Sequence, residues 1–174
     1  MRNYDESLIR NHYQKLTMEL IRRHITITTM ESITSGQIAS LITDTEGASS
    51  IFSGSVVTYS NQEKIHFGVP SEIIEKYSVY SKETAEAMAK AAGDLFPADV
   101  SVGITGTAKN ADPNNISSIP GEVYFAIKYK ADVSSYFVRI PSQSSRLLTK
   151  LACAEEVYEK LAKMLHLDQS PCSD

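Results

Sequence analysis

Apolar residues recur at helical spacing through Leu8, Tyr13, Leu16 and Leu20, with arginine and glutamate between them. This predicts an amphipathic first helix. The period then changes: Ile25-Thr26-Ile27-Thr28-Thr29 is β-rich and predicts a strand. Ser32, Thr34, Ser35 and Gly36 form a polar turn, and Ile38, Ala39, Leu41 and Ile42 open a second apolar helix face. Residues 55–59 predict a second strand. Residues 61–67 predict a short helix, stopped by Gly68 and Pro70, and residues 71–77 another helical piece. Ser81 reads as the N-cap of a helix with Ala85, Met88, Ala89 and Ala92 on one face, ended by Pro97.

Residues 100–104 predict a buried third strand, residues 122–129 a fourth and residues 135–140 a fifth, with Lys130-Ala131-Asp132 as a hairpin connection. A long helix follows residues 142–145, with Leu147, Leu151, Ala154, Tyr158, Leu161 and Leu165 toward the core. Strands separated by helices imply a mainly parallel sheet, and the final hairpin makes it mixed. Helices on both faces give a three-layer α/β/α fold with a sheet of five to six strands. The expected organisation is one domain over residues 1–167 and a frayed tail over residues 168–174.

Composition narrows the class. The chain has 174 residues, 42% hydrophobic and 22% charged, which suits one globular domain. A net charge of -4 argues against a nucleic-acid or membrane-surface partner, which needs a basic face. It leaves room for a small basic pocket for one phosphate. Cys153 and Cys172 read as free thiols, and no Cys/His spacing suggests a metal. Residues 1–6 are polar and carry two acids, unlike a signal peptide. No apolar run reaches ~18 residues, so no membrane span is expected and the default compartment is the cytoplasm.

Ligands of open α/β sheets bind at the carboxyl ends of the strands. Four polar segments fall there: residues 31–36, residues 58–64, residues 105–120 and the serine-rich turn before Arg146. In the first, Ser32, Thr34 and Ser35 precede a helix, where free N–H groups favour an anion or a carbonyl oxygen; plain helix capping explains them equally well. In the second, Lys64 lies on the first turn of a helix, and Ser49 sits upstream after Gly47. A serine needs a base, and a lysine with a depressed pKa can serve. By spacing alone, a solvated lysine and a capping serine fit as well. Arg146 is suited to a carboxylate or phosphate, or is simply a surface arginine. The histidines do not cluster, and Glu31 is a lone carboxylate. Residues 107–120 have no periodicity, and a polar loop of that length is usually functional or disordered.

Several segments together resemble the CinA C-terminal domain family. They are Glu31-Ser32-Ile33-Thr34-Ser35-Gly36, residues 43–49, Val56-Val57-Thr58-Tyr59-Ser60-Asn61-Gln62-Glu63-Lys64, Gly68-Val69, residues 79–83, Gly103-Ile104-Thr105-Gly106 and Pro120-Gly121-Glu122-Val123-Tyr124. The resemblance implies a hydrolase that deamidates nicotinamide mononucleotide to nicotinic acid mononucleotide and ammonia, using lysine in place of histidine. It implies Ser49 as nucleophile, Lys64 as base and Arg146 as a third catalytic residue. Substrate-binding positions would be Glu31, Ser32, Thr34, Tyr59, Asn61, Thr105 and Gly106. No metal or other cofactor is implied. The expected partner is a small pyridine nucleotide, and the expected assembly a homo-oligomer, dimer or larger. Larger family proteins carry a separate N-terminal domain, so the chain resembles the stand-alone form.

The chain also departs from the family pattern. Ile33 and Ser35 stand where Cys and Gly are usual in E-S-C-T-G-G, and Gly106-Thr107-Ala108-Lys109-Asn110 replaces the usual G-I-A-G-P string. Ser144-Ser145-Arg146 replaces G-D-R. The altered loop leaves a second expectation open: a non-catalytic nucleotide- or protein-binding domain linked to competence or DNA damage.

Overall fold

The computed structural model describes residues 4–115 and 118–167. The tail expected over residues 168–174, with Cys172, lies outside them. The first helix, α1 (Glu6–Arg23), is capped by the Asp5 carboxylate, which accepts from Leu8 N–H. Its inward stripe is Ile9, Tyr13, Leu16 and Leu20. Leu8, expected inside, is 49% exposed, because Ile9 occupies the inward position of that turn. The first strand, β1 (Ile27–Glu31), starts two residues later than the β-branched run suggests. His24 adopts a left-handed conformation as the helix cap, and Ile25 N–H still bonds Leu20 O. Thr26 is held by the Asp99 carboxylate through both its N–H and its hydroxyl.

The chain continues through α2 (Gln37–Thr43), a 3₁₀ turn (Ala48–Ser50), β2 (Ser55–Val57), α3 (Asn61–His66), α4 (Ser71–Tyr77) and α5 (Lys82–Leu95). Then come β3 (Val100–Gly106), β4 (Glu122–Tyr129), β5 (Asp132–Arg139) and α6 (Arg146–Met164). The strands form one mixed sheet in the order β2-β1-β3-β4-β5. β2, β1 and β3 are parallel, and β4 and β5 run antiparallel. β5 begins at Asp132, earlier than expected, because Tyr129 and Asp132 already pair across a two-residue turn. Lys130 takes the positive φ that this tight turn requires.

Helices cover both faces, giving three α/β/α layers. On one face α1, α2 and α6 share the main core with Val102, Ile104, Phe125 and Ile127. Leu151, Ala154 and Leu161 enter that core from α6, while Leu147 is 44% exposed and Leu148 packs instead. On the other face Met88, Ala91 and Ala92 of α5 pack with Met30 and Val69. All of β1 is buried, as expected for a central parallel strand covered on both sides.

This order puts a topological switch at β1. The chain goes from β1 to β2 on one side, then returns to β3 on the other. The carboxyl ends of β1 and β3 therefore diverge into different connections, and a cleft opens above them.

Candidate active site

The cleft is a cavity of about 530 Å³, within the usual range for small-molecule sites. Ser32 and Ile33 line it from the end of β1, and Gly106 and Thr107 from the end of β3. Tyr59, Asn61 and Lys64 come from the end of β2 and the start of α3, and Arg146 from the first turn of α6.

Lys64 is the centre of the arrangement. It is only 2% exposed, on the inner side of a one-and-a-half-turn helix that Ser60 caps through Glu63 N–H. Its Nζ lies 3.0 Å from Ser32 Oγ and donates to Thr58 O at 2.8 Å. Burial brings its pKa down from the ordinary 10.5 to about 8, and the Asp112 carboxylate resists that fall. Near neutrality an appreciable fraction is thus the free amine. In that form the lone pair of Nζ can accept the Ser32 hydroxyl proton while an N–H still donates to Thr58 O.

The turn presenting Ser32 is a sharp one. Ser32 N–H donates to Ile104 O, extending the β1–β3 pairing by one residue. Ser35 and Gly36 then take positive φ, 44° and 87°, and α2 begins. Ser35 adopts the left-handed region, which favours glycine. Gly36 has no side chain to cap α2; the Glu31 carboxylate does so, accepting from Ile38 N–H at 3.1 Å and Ala39 N–H at 2.9 Å. It also accepts from the Thr29 hydroxyl. The Ile33 N–H, on the cavity wall beside Ser32, meets no acceptor among the described residues.

The structure does not bring Ser49 and Lys64 together. Ser49 is exposed on the 3₁₀ turn, and the following Ile51 carbonyl accepts from Ile27 N–H, at the start of β1. Ser32 follows the opposite end of that strand, roughly 15 Å away at about 3.3 Å per residue. The serine against Lys64 is Ser32. Three of the expected substrate-binding residues also lie off the cavity. Glu31 is fully buried as the α2 cap, Thr34 is fully buried, and the Thr105 hydroxyl donates to Val79 O. Ser32, Tyr59, Asn61 and Gly106 do line it.

Arg146 stands at the rim, exposed, and its guanidinium donates to the hydroxyl of Tyr59, itself 60% exposed. The pair offers hydrogen-bond donors to an anion entering from solvent. Tyr80, Asp112 and Asn115 complete the wall, and none was singled out in the sequence. The polar loop over residues 107–120 is the only signal for Asp112 and Asn115, and the 32-residue separation between Tyr80 and Asp112 hides their contact.

A buried serine–lysine pair at a strand-to-helix turn, above the switch point of a three-layer sheet, defines an α/β domain with a candidate nucleophile and base. The CinA C-terminal domain model matches residues 10–165. A competence-damage inducible protein of Streptococcus agalactiae is 36% identical over 137 residues, 77% of this chain and 32% of that relative. A CinA-like protein of Leptospira borgpetersenii is 30% identical over 155 residues, 87% of this chain and 37% of the relative. The chain thus spans about a third of the length of these curated relatives. Among solved structures, a CinA superfamily protein from Escherichia coli superposes with a TM-score of 0.78 at 29% identity, covering 96% of this chain and 94% of the other. The competence damage-inducible protein A of Klebsiella pneumoniae gives 0.83 at 19% identity, over 91% and 97%. The chain belongs to the CinA C-terminal domain family. Among the described residues no helix is long and apolar enough to cross a membrane.

Proposed function

We propose that this domain is an amidohydrolase that converts nicotinamide mononucleotide to nicotinic acid mononucleotide and ammonia, with Ser32 as nucleophile and Lys64 as base. The observation that carries the reading is the buried contact of 3.0 Å between Lys64 Nζ and Ser32 Oγ, on the wall of a cavity sized for one mononucleotide. A cytoplasmic role in pyridine-nucleotide salvage and a homo-oligomeric assembly belong to the same reading.

Neutral Lys64 takes the Ser32 hydroxyl proton as Oγ attacks the carboxamide carbon. The carbonyl electron pair moves onto oxygen, and the Ile33 N–H, next to the nucleophile, is available to that oxyanion. Lys64 returns the proton to the amide nitrogen, the C–N bond breaks, and ammonia leaves. Water then gives a proton to Lys64 and attacks the Ser32 ester. The ester C–O bond breaks, Ser32 regains its proton, and the free acid departs. Arg146 and Tyr59 hold the phosphate at the rim, positioning the amide over Ser32.

Ammonia release from nicotinamide mononucleotide tests this. Wild type should turn over, and Ser32→Ala and Lys64→Ala should each lower kcat by about 10³-fold or more. Ser49→Ala should leave the rate unchanged, since that side chain lies at the far end of β1. A folded wild type that releases no ammonia overturns the reading and favours the binding domain. Loss of activity in Ser49→Ala with activity retained in Ser32→Ala overturns the choice of nucleophile.

A further inference from the structure

Among the described residues, three charged side chains line the cavity, Lys64, Arg146 and Asp112, with Tyr59 and Tyr80 as its other titratable groups. Lys64 and Arg146 have roles in the reaction proposed above. Asp112 has none, and its charge acts against that reaction. A carboxylate facing Lys64 favours the ammonium form, which cannot serve as a base. Yet Asp112 is held firmly in place. Its Oδ2 accepts from the Tyr80 hydroxyl at 2.7 Å and from Asn115 Nδ2 at 2.6 Å, and its Oδ1 from Asn114 N–H at 2.9 Å. Its own N–H donates to Ser118 Oγ at 2.7 Å.

Tyr80 and Asn115 hold the carboxyl below the usual carboxylate range, so it is ionised at neutral pH. Every one of these donors is neutral. Asn115 Oδ1 in turn accepts from Asn61 Nδ2 at 3.3 Å. Asn61 lies three residues before Lys64 on α3, on the same helical face. The network is therefore the wall beside the serine–lysine pair. It presents a fixed negative charge to the cavity, with no cation bonded to it among the described residues.

We infer that Asp112 is a specificity-determining residue that selects ligands with a cationic ring, such as an N-substituted pyridinium carboxamide, over neutral rings of the same shape. The inference rests on the amidase reading for the reaction it serves; the ring-charge preference rests on the cavity. A pyridinium mononucleotide has a positive ring and a negative phosphate. The cavity has charges of both signs to meet them, Asp112 on the wall with Tyr80 and Asn115, and Arg146 at the rim. A bound ring cation offsets the field of Asp112 at Lys64, so the arrival of substrate favours the neutral amine that the first step needs. Asp112 thus restrains the base in the empty cavity, and the correct ligand removes the restraint.

Binding to Ser32→Ala protein, which consumes no ligand, tests this without turnover. Calorimetric titrations at pH 9, where Lys64 is mostly neutral, compare nicotinamide mononucleotide with its 1,4-dihydropyridine form, which has a neutral ring and the same phosphate. The cationic ligand should bind more tightly. Adding Asp112→Asn should weaken it by about tenfold and leave the neutral ligand nearly unchanged, while Asp112→Glu, which keeps the charge, should retain the preference. If Asp112→Asn does not fold, Asp112→Ser takes its place. Equal weakening of both ligands, or no weakening of either, overturns the inference. So does a neutral ligand that binds the Ser32→Ala protein as tightly as the cation. Failure of the amidase reading has a different signature: selective binding of the cation with no ammonia from wild type.

Discussion

At the residue scale, one depressed pKa has two measurable consequences. In the proposed reaction Lys64 serves as a base only when neutral, so kcat/KM should rise with pH through about 8. The same shift links stability to pH. Between about 8 and 10.5 the unfolded chain holds a proton on Lys64 that the folded chain has released. The unfolded state then binds more protons, and stability rises with pH across that window. Relative to Lys64→Met, which has no proton to lose, wild type should gain on the order of 3 kcal/mol over the window. Urea melts of both proteins at pH 7.5 and pH 10.5 measure this. Equal changes in the two would mean that Lys64 titrates normally and is no base. Much of the site was legible in the sequence: Lys64, Arg146, Tyr59, Asn61 and Gly106 line the cavity, and Ser32 was among the expected binding residues. The pairing of Ser32 with Lys64 was not legible, because only the topology says which serine lies at the carboxyl end of the sheet. Glu31 and Thr34 sit beside Ser32 in the chain but face the core, where Glu31 meets the free N–H groups of α2.

At the element scale, the approach of α5 to the sheet sets where the cavity walls stand. Gly103 lies in β3 under α5, and a Cβ built there would sit 2.3 Å from Ala85 O and 2.4 Å from Ala89 N. Those are backbone atoms, so the helix itself must move. Gly103→Ala should cost about 3 kcal/mol and lower Tm by roughly 6–12 °C, measured by differential scanning calorimetry. An unchanged Tm would mean that α5 slides freely on the sheet. That would undermine the rigid placement of Tyr80, which α5 follows directly. Element types were readable from hydrophobic period and, for α5, from its cap: Ser81 accepts from Thr84 N–H. Boundaries were less readable. The α1 cap and the Asp99 carboxylate claim residues 24–26 before β1 can start, and neither contact has a local signature.

At the scale of the whole molecule, the two helical layers are unequal, and so are the pieces within one of them. β1 and β3 are buried between layers, whereas α4 has no fully buried residue and touches the second core mainly through half-buried Ile74. Local opening follows buried contact, so α4 amides should exchange with deuterium far sooner than those of β1 or β3. The segment just after α4 is different. Ser78 O accepts from the Ser81 and Thr84 hydroxyls, Val79 O from Thr105, and the Tyr80 hydroxyl is held by Asp112. Four bonds thus tie residues 78–80 to α5, β3 and the cavity wall, and α4 can open without moving them. Nicotinamide mononucleotide at about 100 times its Kd should stabilise the closed site by about 2.7 kcal/mol. In Ser32→Ala protein this should slow exchange about 100-fold in the central strands, whose opening empties the cavity, and leave α4 unchanged. Hydrogen exchange read by mass spectrometry separates the segments. If α4 slows along with the strands, its opening carries the cavity wall with it, and ligand entry and α4 fraying are one motion.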